Sequence, residues 1–258
     1  MPELPDLQVF SINLTKQLKG LTVAGVEVPV TKKLNVTKAK LKEALEGASI
    51  KSVSRVGKEL HIIFGNDNVL ALHLMLHGAL YLFEGKELRK HTIIALLFDN
   101  GRGIGLTDWQ GVATPTLNPE EKAAPDALSK EITLAFLKKI LQTKSTIKNV
   151  LLDQKIIRGI GNAYADEILW DARISPFSVS NKIPDEAISA LLKSIKEVLT
   201  NAEKQIKKEN PDIISGEVRD FLLIHNSKKK ESPDGSPILQ KTAGGRKTYY
   251  TEEQQLYS

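Results

Sequence analysis

The period of the apolar pattern changes once along this chain, near Pro115-Thr116-Leu117-Asn118-Pro119. Before that point, short β-branched and aromatic runs recur at Leu21–Val28, Ile50–Val56, Leu60–Phe64, Val69–Leu76, Ala79–Phe83 and Thr92–Phe98, punctuated by Gly or Asn. Such runs fit strands with one buried face, joined by tight turns. A helix over Pro5–Leu18 precedes them, with Pro5 in its first turn and Gly20 past its end, and a short one lies at Leu41–Leu45. After the change, helical periodicity takes over at Ile132–Leu141, Ile147–Leu152, Tyr164–Trp170 and Ala187–Ile206. The expected class is therefore α+β. Residues 1–116 form a β-sandwich or barrel with flanking helices, 117–130 a linker rich in Pro, Ala and charge, 131–226 a helical domain, and 227–258 a terminal piece. Two β-prone arms around Gly244-Gly245 make that last piece a hairpin.

A chain of 258 residues suits two domains. No apolar run approaches the length of a membrane span, and the start, with Glu3 and Asp6, lacks the basic-then-apolar order of a signal peptide. A cytoplasmic protein without membrane contact is expected. The absence of Cys excludes disulfides, thiolate zinc sites and cysteine nucleophiles. A net charge of +5 and a pI near 9.1 suit a polyanionic partner.

Two motifs carry chemistry. The first is Met1-Pro2-Glu3-Leu4-Pro5-Asp6. The small second residue favours removal of Met1, which would leave a secondary amine on Pro2 beside the carboxylate of Glu3. A terminal amine loses its proton nearer neutrality than a lysine does, and is then a nucleophile toward electrophilic carbon. Alone, Pro2 would be only a stiff chain start. The second motif is the run Leu151 to Trp170, which contains Arg158-Gly159-Ile160-Gly161-Asn162 and reads as helix, glycine turn, helix. The glycines allow close backbone approach, and a helix beginning at Asn162 would turn its amides toward a phosphate. Alone, this is an ordinary helical hairpin.

Together, Pro2-Glu3-Leu4-Pro5 and the run from Leu151 to Trp170 resemble the formamidopyrimidine-DNA glycosylase / endonuclease VIII family of base-excision repair enzymes, and the second motif looks like the family's helix–two-turn–helix. The resemblance extends over the whole chain in order: N-terminal helix, β-sandwich, helical domain, C-terminal finger. It implies a DNA glycosylase with abasic-site lyase activity. Pro2 would attack C1′ of a flipped damaged nucleotide, and the resulting imine would lead to strand cleavage by elimination. Glu3 would move protons at the sugar. Lys58 would lie on a turn near the scissile phosphates, His73 would contact a phosphate, and Gly161, Asn162 and Arg246 would grip the backbone around the lesion. The implied partner is damaged double-stranded DNA, bound by a monomer, with no cofactor.

The chain departs from the family at several places. Glu231, Asp234, Thr251 and Gln254 fall at or near the finger positions that usually hold zinc-binding cysteines, so a zincless finger without metal is expected, held by hairpin pairing and by Ile238, Leu239, Tyr249 and Tyr250. Asp6 replaces the usual Glu and is taken as a DNA-side residue marking a changed substrate. The residues that fill the gap of the flipped base match Leu76, Gln110 and Val112 here; Leu76 keeps the wedge, while Trp109 is available to stack. The stretch from Arg219 to Ser232 is short for the loop that covers 8-oxoguanine in guanine-directed members, so 8-oxoguanine is expected to be a poor substrate. The run Lys228-Lys229-Lys230 is expected beside DNA. A second reading follows from the altered wedge and Asp6, namely a catalytically weak protein of the same fold that binds lesions or abasic sites. A third, an RNA- or ribosome-associated protein, leaves the terminal Pro-Glu without a purpose.

Overall fold

Helix α1 (Leu4–Leu18) begins on a reciprocal cap: the Glu3 carboxylate accepts the Asp6 amide, and the Asp6 carboxylate accepts the Glu3 amide at 2.9 Å. Proline lies in its first turn, and Gly20 beyond its end has φ +84°. The computed structural model describes residues 1–85 and 87–258, with only the backbone described at Ala243. The chain divides into two compact units, residues 1–121 with 206–217, and residues 122–205 with 218–258.

The first unit holds two four-stranded antiparallel sheets. One has the order β1 (Val23–Glu27), β6 (Thr92–Phe98), β7 (Arg102–Thr107), β5 (Ala79–Glu84). The other has the order β2 (Ile50–Val56), β3 (Glu59–Phe64), β4 (Val69–His73), β8 (Thr114–Leu117). Leu60, Ile62 and Leu72 of one sheet and Ile94, Leu96 and Ile104 of the other share a single buried core with Leu7, Phe10, Leu14 and Leu18 of α1. This is the expected sandwich. A short helix, α2 (Lys38–Leu45), capped by Thr37, buries Leu41 and Leu45 in the same core.

Two strands escape the sequence pattern. In β7 the glycines Gly103 and Gly105 hide the strand signal, yet each lies opposite an aromatic residue of β5. A Cβ at Gly103 would come within 2.2 Å of the Phe83 ring, and one at Gly105 within 2.4 Å of Tyr81. The rings fill the room that the missing side chains leave. Strand β8 contains Pro115, which is tolerated because β8 is an edge strand. A third difference concerns length: the strand expected to reach Leu76 stops at His73. Met75 takes a left-handed φ of +55°, and the Gly78 amide donates to the Leu74 carbonyl at 2.8 Å, closing a tight loop. Leu76 therefore sits on a loop tip.

The second unit contains α3 (Leu134–Ile140), α4 (Ile147–Leu152), α5 (Asn162–Asp171), most of α6 (Asp185–Glu209), and the hairpin β9 (Leu239–Ala243) with β10 (Arg246–Tyr250). Along α6, Ile188, Leu191, Ile195, Leu199 and Ala202 are buried at three- and four-residue intervals, the spacing of one helical face. Gly244 and Gly245 at the hairpin turn both have positive φ, +57° and +73°, as a two-residue turn between right-twisted strands requires. Among the described residues, no helix is long and apolar enough to cross a membrane.

Candidate functional site

In the first unit the candidate residues gather around the start of α1. Pro2 and Glu3 are buried, Glu3 at 5% exposure. Met1 precedes them, and its ammonium pairs with the carboxylate of Glu217. With Met1 attached, the Pro2 nitrogen is an amide and has no lone pair to offer. Asp6 is fully buried, and its carboxylate is engaged by the Glu3 amide. Asp6, expected on the DNA side, occupies the position of a capping acid that holds Glu3 in place, because an acid three residues into the helix lies against the cap.

Lys58 follows Gly57 in the β2–β3 turn, where Gly57 has φ +61°. This turn is fastened to α1. Arg55 Nε donates to Gln8 Oε1 at 3.1 Å and its Nη1 to the Gly57 carbonyl at 3.2 Å. One helical stretch further along, Thr15 Oγ1 both donates to the Val53 carbonyl and accepts the Val53 amide, each at 2.8 Å. With Val53 held at Thr15 and Arg55 at Gln8, the strand carries its turn toward the beginning of α1. His73 ends β4 opposite Glu59, the neighbour of Lys58, and its Nδ1 accepts the Met75 amide at 3.1 Å.

Leu76 and Trp109 are 60% and 63% exposed, among the large apolar side chains that face solvent. The His77 and Trp109 rings lie 5.0 Å apart, so the Leu76 loop and the Trp109 loop meet. The second loop is braced from beneath by Asp108, 2% exposed. Its carboxylate accepts the amides of Gln110, Val112 and Ala113 at 3.0, 2.8 and 2.7 Å. The pattern of residues alone did not single out Asp108; an Asp followed by Gly three residues on is the available turn signal.

In the second unit, Gly161 is the N-cap of α5 and Asn162 its first helical residue, where the sequence places the start of the helix. Asn162 Nδ2 donates to the carbonyl of Lys247 at 2.9 Å. Arg246, exposed at the hairpin turn, is the residue before Lys247, so Asn162 and Arg246 are brought together. The next two hairpin residues are also held. Lys148 Nζ donates to Thr248 Oγ1 at 2.8 Å, and the Tyr249 amide donates to Asp166 Oδ2 at 2.9 Å. Asp166, fully buried, also takes the Lys148 ammonium at 2.6 Å, an ion pair rather than a well-aligned hydrogen bond, and lies 2.7 Å from His225 Nδ1. The turn before α5 is stapled by Gln154, which donates to the Ile160 carbonyl and accepts the Gly159 amide, both at 2.9 Å. Glu167 accepts the amides of Leu223, Ile224 and His225 at 2.8, 2.9 and 2.7 Å. Burial pushes its carboxyl above the ordinary range, against the pull of those three donors.

Two of the finger positions where a zinc would need ligands, Asp234 and Gln254, are otherwise engaged. Asp234 pairs with Arg173 at 2.7 Å and accepts the Ser232 hydroxyl; that hydroxyl first, then Arg173, holds its carboxyl down at about 2. Gln254 accepts the Thr251 amide at 2.9 Å and donates to the Ile174 carbonyl at 2.8 Å. A carboxylate already neutralised by a guanidinium, an amide and a hydroxyl do not fit zinc. Lys229 of the basic run donates to the Leu222 carbonyl at 2.6 Å.

Residues 1–114 match the family model of the formamidopyrimidine-DNA glycosylase N-terminal domain, and residues 123–210 that of the formamidopyrimidine-DNA glycosylase H2TH domain. A formamidopyrimidine-DNA glycosylase of Pelotomaculum thermopropionicum is 31% identical over 97% of each chain. The Lactococcus lactis formamidopyrimidine-DNA glycosylase in complex with abasic-site DNA superposes with a TM-score of 0.88 at 25% identity, covering 98% of this chain and 99% of that one. The same enzyme with oxidised-pyrimidine DNA gives a TM-score of 0.87 at 27% identity, over 98% and 99% of the two chains.

Proposed function

The chain belongs to the formamidopyrimidine-DNA glycosylase family of DNA-binding repair enzymes, and from that premise we propose a bifunctional base-excision glycosylase in which Pro2, freed of Met1, is the nucleophile. The observation that carries this reading is local to the first unit. Pro2 and the buried Glu3 occupy the start of α1, and the Lys58 turn is tied to that same helix through Arg55 and Gln8. The neutral Pro2 amine attacks C1′ of the damaged nucleotide and the C1′–base bond breaks, the base leaving with its electron pair. Loss of the proton on nitrogen and opening of the sugar at C1′–O4′ give an iminium, with Glu3 protonating O4′. The iminium acidifies C2′, and β-elimination expels the 3′ phosphate. Lys58 and His73 flank the phosphates, while Leu76 wedges and Trp109, backed by His77, stacks where the flipped base has left. Asn162, Gly161 and Arg246 hold the DNA backbone from the second unit, Asn162 through the second hydrogen of its Nδ2 and Arg246 as a bidentate donor. The reading includes a monomer working in the cytoplasm or nucleoid, with a finger that needs no zinc.

Borohydride trapping on abasic-site DNA tests the nucleophile. Protein whose N-terminal peptide mass shows Met1 removed should form a covalent adduct. Pro2→Gly should weaken it, and an added N-terminal residue should abolish it. No adduct from processed wild-type protein would leave a lesion-binding protein of the same fold. The short segment after Arg219 supports discrimination against 8-oxoguanine, and single-turnover excision should be slower for it than for oxidised pyrimidines. Equal rates would overturn that preference.

A further inference from the structure

The terminal ammonium rests on a residue from the far end of the same unit. Glu217 Oε1 is the ion-pair partner of the Met1 nitrogen. Glu217 closes the segment 206–217, which belongs with residues 1–121 and is anchored there. Asn13 Nδ2 of α1 donates to the Ile213 carbonyl at 2.8 Å, and the Leu80 amide of β5 donates to Ser215 Oγ at 3.0 Å. Ile213 and Ile214 pack against the sandwich core. The carboxylate is thus presented to the N-terminus by a fixed support.

We propose that Glu217 is a second catalytic carboxylate, the proton acceptor of the terminal amine, in the reaction assigned above to Pro2 and Glu3. The inference rests on that assignment. Removal of Met1 moves the terminal nitrogen inward by one residue, at most about 3.6 Å, a distance that rotation of the Glu217 side chain can follow. The side chain is 34% exposed and has room to do so.

The chemistry asks for two proton transfers of opposite direction at one centre. When the Pro2 nitrogen attacks C1′, it forms a fourth bond while keeping its hydrogen, and becomes positively charged. That hydrogen must leave as a proton before the nitrogen lone pair can expel O4′ and form the iminium, and O4′ must gain a proton as the C1′–O4′ bond breaks. Glu3 is fixed by its bond from the Asp6 amide and is almost wholly buried, which suits one directed transfer to the sugar. Glu217, which pairs with the Met1 nitrogen one residue away, swings to the freed Pro2 nitrogen and receives the first proton, returning it to solvent through its exposed edge.

The test uses the full chain with Met1 removed in every variant, verified by N-terminal peptide mass. Single-turnover borohydride trapping on abasic-site DNA is measured alongside affinity for DNA carrying an uncleavable tetrahydrofuran abasic analogue. Glu217→Gln, which keeps size and shape, should slow trapping about 100-fold with affinity unchanged. Glu217→Ala should be equally slow and regain rate as acetate is added, a rescue that a purely structural defect does not show. Trapping by Glu217→Gln at the wild-type rate, or a Glu217→Ala defect indifferent to acetate, overturns the role of Glu217 alone. Absence of any adduct from wild-type protein overturns the Pro2 assignment beneath it.

Discussion

The loops of the sandwich and the finger hairpin are held by opposite means. The Leu76 and Trp109 loops rise from sheets whose core joins both four-stranded layers and α1, and only their tips need polar bracing, from Asp108 and from the Gly78–Leu74 backbone bond. Among the described residues, the finger has a small core. Trp170, Ile224 and Tyr249 form its buried cluster, with Ile238 against them. A hairpin of that size cannot bury enough apolar surface to order itself and needs a staple. It is docked on α4 and α5 through Asp166, which Lys148, His225 and the Tyr249 amide share, and it is tied at its base by Arg173 to Asp234 and Glu253. An apolar core degrades gradually when it is trimmed. A buried ionic network fails when one member is removed, because the remaining charges keep their desolvation penalty.

The comparison predicts its own largest effect at Asp166. Asp166→Ala takes away the carboxylate that three partners share, and breaking a buried pair from one side costs about 3–5 kcal/mol. The expected outcome is release of the hairpin: faster proteolysis within 227–258 and a loss of DNA affinity, with the thermal transition of the sandwich unchanged. Intact affinity and protease resistance would show that the apolar cluster holds the finger by itself. Asp108→Ala should do less. Three amides lose an acceptor, a loss of about 1–3 kcal/mol in a loop that water reaches. Amide exchange at Gln110, Val112 and Ala113 should rise while the strand amides of β4 and β7 keep their protection. Exchange rising across the whole sandwich would mean that Asp108 supports the sheets and not only the loop.

What the sequence revealed follows the same division. Elements with a clean period and ordinary turn residues were legible: α1 with its Pro and Gly ends, β2, β3 and β6, α6, and the hairpin around Gly244-Gly245. Strand β7 was not, because Gly103 and Gly105 carry no β signal of their own; their reason for being there is the rings of Phe83 and Tyr81 on another strand. Strand β8 was lost to Pro115, a residue that excludes central strands but not edges. Among the candidate residues, the N-terminal Pro-Glu pair and the Gly159–Asn162 turn stand out locally. The staples do not. Asp166 meets His225 across 59 positions and Tyr249 across 83, and Glu217 meets the terminus across 216, separations over which no local pattern operates. Asp6 was legible as a departure, but its burial, and hence its capping role, was visible only once α1 was seen packed on the sandwich.

The smallest expected effect separates the two regions by pH. The Asp234 carboxyl is lowered from 3.8 to about 2, by the Ser232 hydroxyl and then by Arg173. A group whose folded value is depressed stabilises the fold above its unfolded value, and that contribution fades as pH falls toward the folded value. The base of the finger should therefore loosen between about pH 4 and pH 2. Asp234 is partly exposed, so solvent screens the pair and the change should be modest. The amide resonances of Ser232 and Gly235, which bond to Ser236 and Ser232 across the turn, would report it. Asp234→Asn should show the loosened shifts already at neutral pH and no further movement in that window. The backbone-to-backbone bonds of the sandwich, Gly78 to Leu74 and Gly101 to Phe98 among them, involve no titrating group and should keep their amide shifts while the finger moves. Coincident titration of both sets would mean that the finger and the sandwich loops fail together, and that the polar network is no more fragile than the core.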